Sequence, residues 1–269
     1  MSNVFADLAP LRDRPIEATA RLKAAKAEYK ALPADPGHTL AGEPLVALET
    51  RGIAGAPAYA RGDTPPYFTA VEGAPKRLWA RQGVAEKLDK VNARAAQAGI
   101  ELYVFDAWRP AAVQAFFHDE WMPAYLAKLY PGDDADQIAS RVTQYWAAPG
   151  SKTRSPSPHS TGAAVDLTLR WIDTGQPFWM GTLFDDAHER AHIDFFERRC
   201  EPGSFSDGEA RANRRLLHWL MVEEGFVPHP HEWWHFGYGD PIWTAYHGLS
   251  ACPYGAAEPP EDPGLSPGP

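Results

Sequence analysis

Three short segments of this chain combine strong polar side chains with small or aromatic neighbours: Ser157-Pro-His-Ser-Thr-Gly-Ala-Ala-Val-Asp166, Glu232-Trp-Trp-His235-Phe, and Asp106-Ala-Trp-Arg109-Pro110. Imidazole nitrogen and carboxylate oxygen are zinc donors, and a catalytic zinc site keeps one position open for water. His159 and Asp166 stand seven residues apart, with Gly162 and Ala163 between them to permit a tight turn. That spacing lets the aspartate open a strand beside the histidine, and His235 can supply a third donor from a neighbouring strand. Glu232 is placed to act as a general base toward water. Arg109 keeps its proton at any working pH. It suits the oxyanion formed when water attacks a peptide carbonyl.

His231-Glu-Trp-Trp-His235 also spells H-E-x-x-H, a zinc signature that operates on a helix. Pro228 and Pro230 precede it, and Gly237, Gly239 and Pro241 follow, so a long helix does not fit. On a strand the two histidines stand ~13 Å apart, at ~3.3 Å per residue, too far to share one zinc easily. His231 is therefore read as a surface residue or one behind the ligands.

The elements that must position these residues can be read in outline. Residues 17–32 form an Ala/Lys-rich surface helix, and residues 52–66 form a Gly/Pro/Ala loop. Val84, Leu88, Val91 and Ala95 recur at helical spacing, with Gly99 at the C-terminal end. Residues 101–105 then form a strand, and Pro110 opens the next helix. Residues 149–158 read as loop and residues 163–169 as strand. Ser206 with Glu209 matches a capping box. The helix behind it buries Leu216, Leu217, Leu220 and Met221, and Gly225 ends it. Residues 233–238 form a short aromatic strand, and the tail after Cys252 is expected to pack weakly. Together these give an α+β fold, with a mainly antiparallel central sheet flanked by helices and the zinc site at the sheet.

Composition bounds the function. The 269 residues suffice for one peptidase domain. In that reading 1–50 are a helical extension, 84–240 the catalytic core and 252–269 a Pro/Gly-rich tail. A net charge of -9 without a basic stripe disfavours nucleic acid. No apolar run approaches a membrane span, and the first residues have no apolar core of a signal peptide. The default location is cytoplasmic, with no membrane partner. Cys200 and Cys252 lack the spacing of a zinc site and are read as free thiols, with a disulfide between them as the alternative.

HSTGAAVDLTL, MGTLFDDAHERAH, NRRLLHWLMVEEGF and EWWHF jointly resemble the VanX-type D-alanyl-D-alanine dipeptidases, over roughly residues 84–238. The resemblance implies one zinc on His159, Asp166 and His235, Glu232 as base, and Arg109 as the transition-state arginine. It further implies that Ser157 and Asp185 line the dipeptide pocket and that Asp106 is a carboxylate beside the arginine. The substrate so implied is a small D,D-dipeptide. A carboxypeptidase for longer cell-wall peptides and a non-catalytic zinc module are the alternatives. Asp185 and Asp186 equally suit the start of a helix after Phe184. The tyrosine-bearing N-terminal segment of that family has no clear counterpart in RGIAGAPAYARGDTPPYF, and Pro158 replaces a small polar residue.

Overall fold

The strand readings resolve into a five-stranded sheet in a computed structural model that describes residues 8–17, 19–149, 155–198 and 203–260. The strands are β1 (Leu45–Ala47), β2 (Ala54–Gly55), β3 (Trp79–Arg81), β4 (Ile100–Asp106), β5 (Ala164–Trp171), β6 (Val227–His229) and β7 (Glu232–Gly237). The helices are α1 (Ala9–Asp13), α2 (Thr19–Glu28), α3 (Gln82–Ala96), α4 (Ala111–Ala115), α5 (Met122–Leu129), α6 (Ala135–Tyr145), α7 (Phe205–Glu223) and α8 (Pro241–His247). The sheet order is β2-β4-β5-β7-β6, antiparallel at every pairing except β2 with β4. β1 and β3 form a separate antiparallel pair. The fold is α+β, as the alternation of short strands and amphipathic helices predicts.

The register decides where chemistry can occur. Asp166 in β5 lies opposite Asp106 in β4 on one side and His235 in β7 on the other. Directly opposed residues of antiparallel neighbours project to the same face, within ~5.5 Å of one another. A register shift between Val104 and Asp106 brings Asp106 to that level. Bulges of this kind re-aim side chains at the ends of strands. α3 buries Val84, Ala85, Leu88, Val91 and Ala95 in the main core, and α7 buries Leu216, Leu217, Leu220 and Met221 there.

Three expectations change. The cap of α7 is Ser204, whose hydroxyl accepts from the Asp207 amide at 3.2 Å, and not Ser206. Ser204 has the extended backbone that an N-cap needs, whereas Ser206 already lies inside the helix. α2 is not a plain surface helix. Leu22, Ala25 and Tyr29 recur on one face and are buried, against α8 and β6. The tail after Cys252 is packed rather than loose as far as Ala257. Tyr254 is buried, and its hydroxyl donates to Glu43 Oε2 at 2.7 Å. The backbone carbonyls of the Gly/Ala run accept from Arg81 and from Trp108 Nε1, and the Ala257 amide donates to Ser160. A segment poor in large apolar residues is fixed here through its main chain. Cys252 is buried and free, while Cys200 and residues 150–154 of the expected loop lie outside the described residues. Among the described residues no helix is long and apolar enough to cross a membrane.

Candidate active site

His159 opens a one-turn 3-10 helix, His159–Thr161, that ends on Gly162 at φ 70°. A side chain at Gly162 would run into Leu45, so this tight turn admits only glycine comfortably. The turn delivers His159 to the ends of β5 and β7. Its Nδ1 donates to the Ala107 carbonyl at 2.7 Å, which fixes the tautomer and leaves the Nε2 lone pair free. That Nε2 lies 3.1 Å from His235 Nδ1 and 3.4 Å from Asp166 Oδ2, and His235 Nδ1 lies 3.0 Å from Asp166 Oδ1. All three residues are buried, and Asp166 Oδ1 has no hydrogen-bond partner.

Tetrahedral zinc with ligands at ~2.0–2.1 Å sets its donors ~3.3 Å apart. The imidazole–imidazole separation of 3.1 Å fits that arrangement, and each Asp166 oxygen lies within 3.4 Å of one of the two imidazoles, with Oδ1, beside His235, left without a hydrogen-bond partner. The three residues could therefore hold a metal ion. Burial alone would raise the Asp166 carboxyl, but His159 and His235 hold it well below the usual range, ready as an anionic ligand.

Glu232, at the first position of β7, has Oε2 3.6 Å from His235 Nδ1 and Oε1 3.5 Å from His229 Nδ1. Burial pushes its carboxyl up to about 8, against the pull of Lys26. His229 is buried and held neutral by that burial. Glu232 to His235 of the H-E-x-x-H run lie on β7, and half-buried His231, in the turn before it, is tilted against the His192 ring at 4.7 Å between centroids and lies outside the cluster.

Arg109 follows β4 and is 4% exposed. Its Nε donates to Asp106 Oδ2 at 2.9 Å and its Nη1 to Gln114 Oε1 at 2.8 Å. Nη2 reaches the Tyr59 hydroxyl at 3.1 Å and Asp166 Oδ2 at 3.3 Å. The guanidinium sits over the Tyr59 and Trp146 rings, at 4.7 and 4.5 Å. Burial opposes the charge, but Tyr59, Asp106, Asp166 and Asp185 outweigh it, so Arg109 stays protonated. Burial raises Asp106 to about 6 even with Arg109 beside it.

Asp185 does not start a helix. The segment after Phe184 is a series of turns with a single 3-10 turn, Glu189–Ala191, capped by His188. Asp185 itself takes φ 57°, which is sterically unfavourable for a non-glycine residue and tolerated best by Asp and Asn. That conformation turns its carboxylate inward, where Oδ2 accepts from both Tyr59 and Tyr67 hydroxyls at 2.7 Å. Burial and then Asp166 push Asp185 up to about 8, despite the two tyrosines and Arg109.

These two tyrosines belong to the run in which the sequence showed no clear counterpart to the family's tyrosine-bearing segment. Two further cavity residues, Lys26 and His229, had no sequence signal as site residues. Ser157 is buried ahead of the His159 turn, and its carbonyl accepts from Ser160. The cavity wall at that point is Pro158. The cavity gathers Arg109, His159, Asp166, Asp185, Glu232 and His235.

The loop that presents Asp185 begins at Gly181, φ 89°, where a Cβ would stand 2.5 Å from the Phe196 ring. Gly181→Ala should cost roughly 1–3 kcal/mol through backbone strain and crowding. A thermal melt with an unchanged midpoint would show that this loop relaxes freely.

An α+β scaffold with a buried His/Asp/His cluster, a buried glutamate and a fixed arginine at its sheet is that of a peptidase. The chain belongs to the D-ala-D-ala dipeptidase family of peptidases, Peptidase_M15, which matches residues 69–248. It is 36% identical to a D-alanyl-D-alanine dipeptidase of Synechocystis sp. over 178 residues, 61% of this chain and 70% of that protein. To the D-alanyl-D-alanine dipeptidase of Enterococcus faecium it is 35% identical over 157 residues, 57% of this chain and 69% of that protein. A solved variant of the vancomycin resistance D,D-pentapeptidase VanY, in complex with Zn(II), is 18% identical and covers 68% of this chain and 84% of that one, with a TM-score of 0.38. Lys26, Tyr59 and Tyr67 all lie ahead of the family match.

Proposed function

We propose that the chain is a zinc-dependent dipeptidase that hydrolyses D-Ala-D-Ala or a closely similar D,D-dipeptide. The observation that carries this reading is the buried Asp185 carboxyl, hydrogen-bonded by Tyr59 and Tyr67 in the same small cavity as the His159, Asp166 and His235 cluster. His159, Asp166 and His235 would hold one zinc per chain. Zinc at such a site supplies Lewis acidity and lowers the pKa of water to about 7.

The chain's own groups supply the remainder. Asp185 pairs with the α-ammonium of the dipeptide, and the two tyrosine hydroxyls fix the orientation of its carboxylate. Glu232 Oε2 takes the proton of the attacking water and returns it to the departing amine. Arg109 turns Nη2 toward the oxyanion of the tetrahedral species. Asp106 and Gln114 occupy its other nitrogens and hold the fork still, so they are positioning residues. Ser157 is kept in this reading only as a support for the His159 turn and the pocket wall.

A carboxypeptidase for longer wall peptides would bind a substrate whose amine at this point is an amide. Asp185 would then be buried without a partner, a loss on the order of 3–5 kcal/mol. Asp185→Asn is the direct test, because Asn accepts the same positive φ and keeps the loop in place. D-Ala-D-Ala hydrolysis should fall by on the order of 10²-fold or more in kcat/KM. The preference over N-acetylated dipeptide should narrow in parallel. If the variant cleaves D-Ala-D-Ala at wild-type efficiency and still rejects the blocked form, the amine clamp is not Asp185. Faster turnover of a D-Ala-D-Ala-terminated pentapeptide than of the dipeptide would favour the carboxypeptidase.

A further inference from the structure

Two cationic side chains line the cavity, Arg109 and Lys26. Arg109 is held by Asp106, Gln114, Tyr59 and Asp166 and is already assigned to the oxyanion. Lys26 is not. Among the described residues its ammonium makes no hydrogen bond or salt bridge, and it rests 5.1 Å from the centroid of the Tyr29 ring. Lys26 lies on α2, which packs against α8 and the edge strand β6, whereas Asp185 is held by Tyr59, which follows β2 at the opposite edge of the sheet. The two therefore line different ends of one cavity, with β5 and β7, which carry Asp166 and His235, between those edges.

A dipeptide is ~7 Å long. With its amine on Asp185 and its carbonyl at the cluster, its terminal carboxylate must lie toward Glu232. That end needs a cation to meet the carboxylate, and Lys26 is the cation that lines it. We propose that Lys26 is the anchor for the substrate's C-terminal carboxylate, so that α2, an element outside the matched family segment, completes the active site and selects a free C-terminus. This rests on the dipeptidase reading above. A compact ammonium on a flexible four-carbon stem suits a ligand that comes and goes. Pairing with the carboxylate also supplies the partner that a half-buried charge otherwise lacks. If Lys26 served only to balance Glu232, its loss would affect the dipeptide and its C-terminal amide equally.

The test compares D-Ala-D-Ala with D-Ala-D-alaninamide. Calorimetric titration uses zinc-loaded Glu232→Gln protein, to suppress turnover, with and without Lys26→Met; hydrolysis uses the unmodified chain and the single Lys26→Met variant. Met is a good helix former and keeps the length of the stem. Lys26→Met should weaken binding of the free dipeptide by on the order of 10–100-fold. It should leave the amide unchanged, so the preference for a free carboxylate disappears. Lys26→Arg should restore most of that preference. An unaltered acid-to-amide ratio in Lys26→Met overturns the proposal, as does equal binding of acid and amide by protein that retains Lys26. If the unmodified enzyme neither binds nor cleaves D-Ala-D-Ala, the dipeptidase reading fails first and the anchor with it. Cleavage without carboxylate preference removes the anchor alone.

Discussion

His159→Ala and His235→Ala should each yield protein without stoichiometric zinc and without measurable dipeptide hydrolysis. Each change leaves two donors from a set of three, which is too few for a stable zinc site. Neither should unfold the chain. His235 keeps its place in β7 through main-chain pairing with β5 and β6, which needs no side chain. His159→Ala loses the bond from Nδ1 to the Ala107 carbonyl, worth about 1 kcal/mol. Metal analysis by mass spectrometry on dialysed protein, together with far-UV circular dichroism, separates lost metal from lost fold. The wild-type chain should carry one zinc and melt at a lower temperature after chelation, because a ligand that binds only the native state stabilises it. Stoichiometric zinc retained by both single variants would sink the ligand assignment.

The cluster was legible because its parts are local and its geometry follows from strand period. Gly162 marks the turn that separates His159 from Asp166, and the prolines and glycines around residues 231–235 exclude a helix. With those residues on a strand, register places Asp106, Asp166 and His235 on one face. The other end of the cavity was not legible. Tyr59 and Tyr67 reach Asp185 across 126 and 118 residues, from a Gly/Pro/Ala loop with no period to read. Aspartate is also a favoured N-cap, so Asp185 could be assigned to a helix start, and only the backbone at φ 57° excludes that. Lys26 was hidden for a different reason. In an Ala/Lys-rich helix the buried face is narrow, and one lysine among several shows no pattern that distinguishes cavity from solvent. The tail was misjudged because apolar content measures side-chain packing, whereas residues 254–257 are held largely by their carbonyls and amides.

Glu232→Gln should keep zinc and fold while losing turnover, and it is the variant that separates binding from catalysis. Glutamine has the shape of glutamic acid but accepts no proton at the pH of catalysis. General-base removal costs on the order of 10² to 10⁴ in rate. The side chain is buried, and burial already draws its carboxyl toward the neutral form. A neutral amide therefore adds no unpaired charge, and the melting temperature should shift little. Glu232 Oε2 stands 3.6 Å from His235 Nδ1, outside the group of donor atoms that His159, Asp166 and His235 bring together. One zinc per chain should therefore remain. The kinetic signature follows from the role. A group that acts on the proton of the attacking water contributes to the transition state more than to the bound substrate, so kcat should fall much further than KM changes. A structural glutamate predicts the reverse, with a lowered melting temperature and activity that falls only with the folded fraction. Near-native kcat in a fully zinc-loaded Glu232→Gln protein would return Glu232 to that structural role and leave the base to be sought elsewhere in the cavity.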